Sequence, residues 1–187
     1  MKFNTLKTLT IAFCLIITAV ATQAQDKKKG ETIVTAPKLV IAKLKVSEGE
    51  AVDVRGKVTF TLTSANSDSS LAGTISYALP DDVRQKIAQI SGKPLAQVPA
   101  TVTQADVVGE FQKLTECPVV HIEFKPMDLM VAGAKVHFNR FAVDISENGK
   151  EINLMVCTIA RQITKAMPYR GPVRRINQII NGEESQQ

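Results

Sequence analysis

Tryptophan is absent and tyrosine occurs only twice in the 187 residues. Exported sugar-binding modules stack pyranose rings on those side chains, so a carbohydrate-binding role is disfavoured. No Gly-x-Ser-x-Gly elbow, phosphate loop or dinucleotide fingerprint occurs, and Cys-x-x-Cys and His-Glu-x-x-His are missing as well. What remains open to catalysis is the class of enzymes built on scattered carboxylates, and the balance tips towards a protein that is not an enzyme. The glycosylation pattern Asn-x-Ser/Thr fails at Asn66, which Ser67 and Asp68 follow. No run of 18 apolar residues exists, so no stretch reads as a spanning helix.

The start of the chain carries the strongest signal. Lys2 and Lys7 precede an apolar stretch from Leu9 to Val20, and small residues close it. That order predicts a signal peptide over 1–24, with cleavage after Ala24 preferred to cleavage after Ala21. Cys14 lies inside the apolar stretch, behind Phe13, where a lipid-anchor cysteine does not sit. The expected location is therefore outside the cytoplasm, in the periplasm or beyond it. The short leader and the missing glycosylation pattern fit a bacterial envelope. Removing Lys2 and Lys7 takes the formal charge from +5 to +3, too mild to imply nucleic acid as a partner.

Residues 25–36 are polar and lysine-rich and read as a flexible leader, 37–182 as one domain, and 183–187 as a disordered tail. Val52, Val54, Gly56, Val58, Phe60 and Leu62 share one parity while charged and threonine residues hold the other, which predicts a strand with one wet face. Val40, Ala42, Leu44 and Val46, with Lys43 and Lys45 opposite, predict its hairpin partner. Leu71 to Leu79 gives a third strand. Asp81 and Asp82 open a short helix that Gly92 and Pro94 end, and Thr103 to Asp106 resembles a capping box for a second helix ending before Pro118. Strands return at Val119 to Lys125 and Ala134 to Ser146. Asn148-Gly149 predicts a hairpin into a further strand, although Ile152, Val156, Ile159 and Ile163 also fit a helical stripe. A terminal helix starts at Pro172 and ends at Gly182. The expected fold class is α+β: about six antiparallel strands, ordered as three strands, two helices, three strands and a C-terminal helix, with the helices on one face.

Three groups of residues could carry function. Folding 119–125 back on 134–138 about Leu129 sets His121 against His137 beside Glu123, a set able to hold a metal ion, with Lys135 intruding. The wet face of an amphipathic hairpin is the competing reading. Cys117 and Cys157 would pair in an oxidising compartment. The strand register places them two spacings apart, about 10 Å, beyond disulfide reach, unless a bulge near Arg140 or a helical Cys157 intervenes. Arg161, Lys165, Arg170, Arg174 and Arg175, without an acid among them, make the C-terminal end basic. Beside the isoleucines they form a candidate surface for an anionic membrane or an acidic partner. The leading expectation is an exported non-catalytic binding module for a protein partner, an apolar small molecule or an envelope surface. The alternative is a metal-binding protein or metal-dependent enzyme using His121, Glu123 and His137.

Overall fold

The alternating stretches of the sequence become one curled antiparallel sheet of eight strands, joined by three helices in an α+β fold. The computed structural model describes residues 30–47, 50–112 and 117–183; the expected signal peptide and most of the expected tail lie outside them. The strands are β1 (Lys38–Ser47), β2 (Glu50–Ala65), β3 (Leu71–Ala78), β4 (Thr101–Phe111), β5 (Val119–Phe124), β6 (Met127–Val131), β7 (Ala134–Phe138) and β8 (Phe141–Ser146). Helix α1 (Asp81–Ser91) and a single 3-10 turn (Leu95–Gln97) link β3 to β4, and α2 (Glu151–Thr164) and α3 (Arg170–Asn181) close the chain.

The strand order is β6-β7-β1-β2-β3-β4-β5-β8. In a flat sheet β7 and β8 would lie six spacings apart, about 29 Å. Only Asn139 and Arg140 connect them, and three Cα steps reach about 11 Å at most. The sheet must therefore roll up until its edges approach. Two contacts record the closure: the rings of Phe138 and Phe141 are 5.9 Å apart, and Lys38 at the start of β1 reaches Asp144 of β8 at 3.1 Å.

The inside of the roll is filled. Phe60, Tyr77, Phe124 and Phe138 are fully buried, and ring contacts chain them with Phe141 across five strands. Such bulk needs bare backbone beneath it. A Cβ on Gly56 would lie 2.4 Å from the Tyr77 ring, and one on Gly73 would lie 2.2 Å from the Thr61 carbonyl oxygen and 2.4 Å from the Phe60 ring. Tyr77 has a cost: its hydroxyl is buried without a partner, and burial first, then the charge of Asp82, pushes its pKa up to about 12.

Helices α2 and α3 pack on each other and against β5 and β2, while α1 lies against β7. All three helices feed buried side chains into the one core, but they pack against different strands. Asn177 of α3 uses its side-chain amide like a strand neighbour: Ala65 N–H donates to its Oδ1 at 2.8 Å, and its Nδ2 donates to the Ala65 carbonyl at 2.9 Å. Asn153 of α2 donates to the Ser146 carbonyl at 2.8 Å, fixing the helix to the end of β8.

The β1–β2 hairpin, β3, α1 and the Gly182 end of α3 form where the patterns placed them. Five expectations are corrected. Residues 103–111 belong to β4 rather than a helix: Ile75 faces Gln104 but Gly73 faces Val107, so one extra residue bulges out near Asp106, whose φ is 57°. The bulge flips the inward parity, and the broken alternation mimicked a helical period. Pro126 to Leu129, read as a turn, instead lead into and form β6 (Met127–Val131); the tight turn is Ala132-Gly133, both left-handed, which hairpins it onto β7. Ala134 to Ser146 is two strands, broken at Asn139-Arg140. Gly149 does turn, with φ 79°, but into α2, because Ile152, Val156, Ile159 and Ala160 bury a helical stripe. Finally, the 30–36 part of the expected flexible leader is held. Thr35 N–H donates to Phe60 and Leu62 N–H to Ile33, both at 2.9 Å, and Ile33 and Thr35 are buried. These residues cover the half of β2 that β1 leaves unpaired.

Candidate functional site

The proposed metal set does not assemble as the sequence suggested. Strand β5 pairs with β4 and β8, and β7 pairs with β6 and β1, so His121 and His137 are not cross-strand neighbours. His121 Nδ1 lies 2.6 Å from Asp144 Oδ1, and His137 Nδ1 lies 2.7 Å from Asp128 Oδ1. Glu123 takes Arg140 at 3.1 Å. β6 takes the place beside β7 that the sequence reading gave to β5, and in the sheet β1 to β4 lie between the two histidine strands. Among the described residues, the cluster with three potential ligand atoms together is Cys117, Glu147 and Cys157, and its two sulfurs are joined to each other. The Cα atoms of that cysteine pair are 5.7 Å apart. A helical Cys157, one of the two escapes from the register objection, is the one the fold takes. The disulfide is compatible with an oxidising compartment, and no described helix is long and apolar enough to cross a membrane.

Both histidine–aspartate pairs carry a lysine as well. Lys135 sits 2.7 Å from Asp128, and Lys38 3.1 Å from Asp144. The Lys135 and His137 bonds hold the Asp128 carboxyl below its usual range against a small opposing effect of burial. Burial pushes Asp144 up, but the bonds from His121 and Lys38 outweigh it and leave that carboxyl low too. A carboxyl whose folded pKa is depressed stabilises the fold above its unfolded pKa, and that contribution is lost as pH falls through the folded value. Urea midpoints should therefore drop below about pH 4, and D128N/D144N should flatten that acid limb while lowering stability at pH 7. Identical acid limbs for variant and parent would refute this. Both carboxylates are well exposed, so the effect is expected to be modest.

The basic end divides. Arg175 is fixed to Glu151 through two bonds, of 2.6 and 2.9 Å, which join α3 to α2. Arg161 and Lys165 are exposed at the C-terminal end of α2. Arg170 and Arg174 are exposed on α3. Val173 and Ile176 are buried in the core, and Ile179 and Ile180 are partly buried against it, so much of the apolar side of α3 is used inside the fold.

A different apolar surface stands open, on the outer face of the sheet. Leu39 and Ile41 of β1 point outward at 62% and 53% exposure, and Val34, bridged to Thr61, extends the line at 62%. Their partners on β2 run from Thr61 to Arg55, so the stripe is about 20 Å long. Lys57 faces Leu39 and Arg55 faces Ile41 across the ladder. Lys43 and Lys45 continue the same column on β1, and with Lys135, His137, Glu50 and Ala51 they border an open hollow of about 380 Å³. Among the described residues, Lys43, Lys45, Arg55 and Lys57 make no ion pair; the nearby acids include Asp53, opposite Lys43, Glu50, and Asp128, which is held by Lys135 and His137. The sequence held this signal. The parity that sends Val40, Ala42 and Leu44 inward also sends Leu39 and Ile41 out, two large aliphatics on a wet face.

No family model matches the chain, and neither a curated protein nor a solved structure matches it. The molecule is defined by its architecture: a rolled α+β sheet with a filled interior and an apolar stripe framed by cations on its outer face.

Proposed function

We propose that this protein is an exported, non-catalytic binding module that docks on an anionic membrane surface through the outer face of β1, β2 and β7. The observation that carries the reading is the Val34–Leu39–Ile41 stripe running into Lys43 and Lys45 and flanked by Arg55 and Lys57. Exposed apolar side chains in one contiguous line mark interaction surfaces. Cations around such a line select a negatively charged partner, each contributing about 1 kcal/mol near an anionic bilayer. Long lysine and arginine stems lie along apolar surface while their heads reach phosphates, so stripe and frame act together. A filled interior supports binding at the surface over carriage of an apolar molecule inside. The export half of the reading rests on the leader at 1–24.

Sedimentation with vesicles tests the docking. Vesicles containing phosphatidylglycerol should bind the protein, and phosphatidylcholine vesicles should not. Binding should weaken with added salt, as screening requires. Leu39→Ser with Ile41→Ser should weaken it about tenfold or more, the effect of losing roughly 1.4 kcal/mol of apolar contact. Equal binding to both vesicle types would overturn the reading. So would a dimer in solution that the double substitution dissolves, since a second copy would then own the stripe.

A further inference from the structure

Beyond the Ala65 end of β2, α3 and the loop at 66–70 border a groove of about 620 Å³, within the size range of small-molecule sites. Arg170 and Arg174 stand at one end of it, one helical turn apart. Like charges at that spacing repel by a few tenths of a kcal/mol, and here no acid offsets them: among the described residues neither arginine has an ion-pair partner. The first turn of α3 contains no acid, and its N-cap, Tyr169, makes no side-chain capping bond, so the positive end of the helix adds to the same field. Gly171 leaves the backbone between them open to approach. From Arg174 the groove runs on past Gln178 to Asn181, with Ser67 on its opposite bank and Glu183 at the far end. Asn177 is already committed to Ala65 and forms wall rather than binding surface.

We propose that this groove binds a small organic phosphate. Two guanidinium forks one turn apart present donors from two directions, which suits a tetrahedral dianion better than a single planar carboxylate. The neutral amides beyond them suit a hydroxyl-bearing body, and Glu183 repels a second anion at that end. Arg170 to Asn181 spans about 16 Å of helix axis, which leaves room for more than the phosphate alone.

The test is titration with glycerol 3-phosphate, inorganic phosphate and glycerol, followed by calorimetry and by backbone amide shifts. Glycerol 3-phosphate should bind saturably, more tightly than inorganic phosphate, with shifts confined to Ser67 and residues 170–181, and glycerol should not bind. R170A/R174A should weaken binding at least about tenfold, and R174K should weaken it too, because the fork is lost. R161A/K165A, equally basic but outside the groove, should change nothing beyond a general salt effect. All four positions are exposed, so these variants keep the fold. Inorganic phosphate binding as tightly as the ester would overturn the proposal, as would shifts elsewhere or affinity unchanged in R170A/R174A. Vesicle binding lost in R170A/R174A with no saturation by the soluble ester would overturn it as well, returning the two arginines to a lipid headgroup. Substitutions at Leu39 and Ile41 leave this site untouched, so the two readings fail separately.

Discussion

Phe124→Ala is expected to lower the free energy of unfolding by about 3–5 kcal/mol, measured by urea denaturation at neutral pH. The side chain is fully buried on β5 and touches Phe60 at 5.1 Å and Phe141 at 5.3 Å between ring centroids. It therefore links β2, in the middle of the sheet, to β8 at its edge. The roll leaves no opposing sheet that can slide in to fill a void; every wall is covalently part of the same curve. Collapse around the missing ring is limited, which puts the cost at the upper end for such truncations. A loss of that size removes a large fraction of the roughly 5–15 kcal/mol that holds an ordinary domain folded. Phe141→Ala is the control: its ring is half-buried, so its loss should cost clearly less. If Phe124→Ala costs under about 1 kcal/mol, the aromatic chain does not fill the roll.

The contrast between β2 and β4 shows what the sequence made legible and what it hid. β2 alternates without a break over most of its length, one face against the core and one in water, and its pattern needs no knowledge of its neighbours. β4 carries the same kind of residues, but the bulge near Asp106 shifts the inward set from even to odd numbers. A bulge is specified by the partner strand, so a reading of one strand at a time sees only a failed period. The same limit hid β6. Five residues beside a two-residue Ala-Gly turn carry little local signal, and their place is fixed by pairing with β7. That one omission moved His121 opposite His137 and created a metal set that the topology takes apart. The helix α2 was hidden for the opposite reason. Asn148-Gly149 is a strong turn signal, and the turn is there, but burial of Ile152, Val156 and Ile159 makes the chain leave it as a helix. The surface stripe was legible all along, because outward parity on β1 needs only the inward set to be known. Its meaning required the topology, which places Arg55 and Lys57 beside it on one side and His137 and Lys135 near its end on the other.

The second large effect concerns α2. Its link to the start of β5 through Cys117 and Cys157 closes a loop of 40 residues that takes in β5 to β8. Restricting a loop of that size in the unfolded chain stabilises the fold by about 4 kcal/mol in the chain-entropy account. Cys117→Ala/Cys157→Ala should lose about that much, and a reductant should lower the stability of the parent by a similar amount while leaving the variant unchanged. A reductant-insensitive parent would mean that the bond does not form in the folded protein. The folded form should nevertheless survive the substitution, because α2 has other anchors: Asn153 on the Ser146 carbonyl, the two-bond pair of Glu151 with Arg175, and a buried stripe from Ile152 to Ala160. This separates two outcomes that a melting curve alone would merge. If the bond acts on the unfolded chain, the variant keeps native amide protection in α2 and loses only global stability. If the bond instead holds α2 in place, protection falls in α2 and α3 before it falls in the sheet. The Glu151–Arg175 pair ties α3 to α2, so in that second case the arginine groove on α3 would loosen with it, and its phosphate affinity would become redox-dependent while vesicle binding by the outer face of the sheet would not.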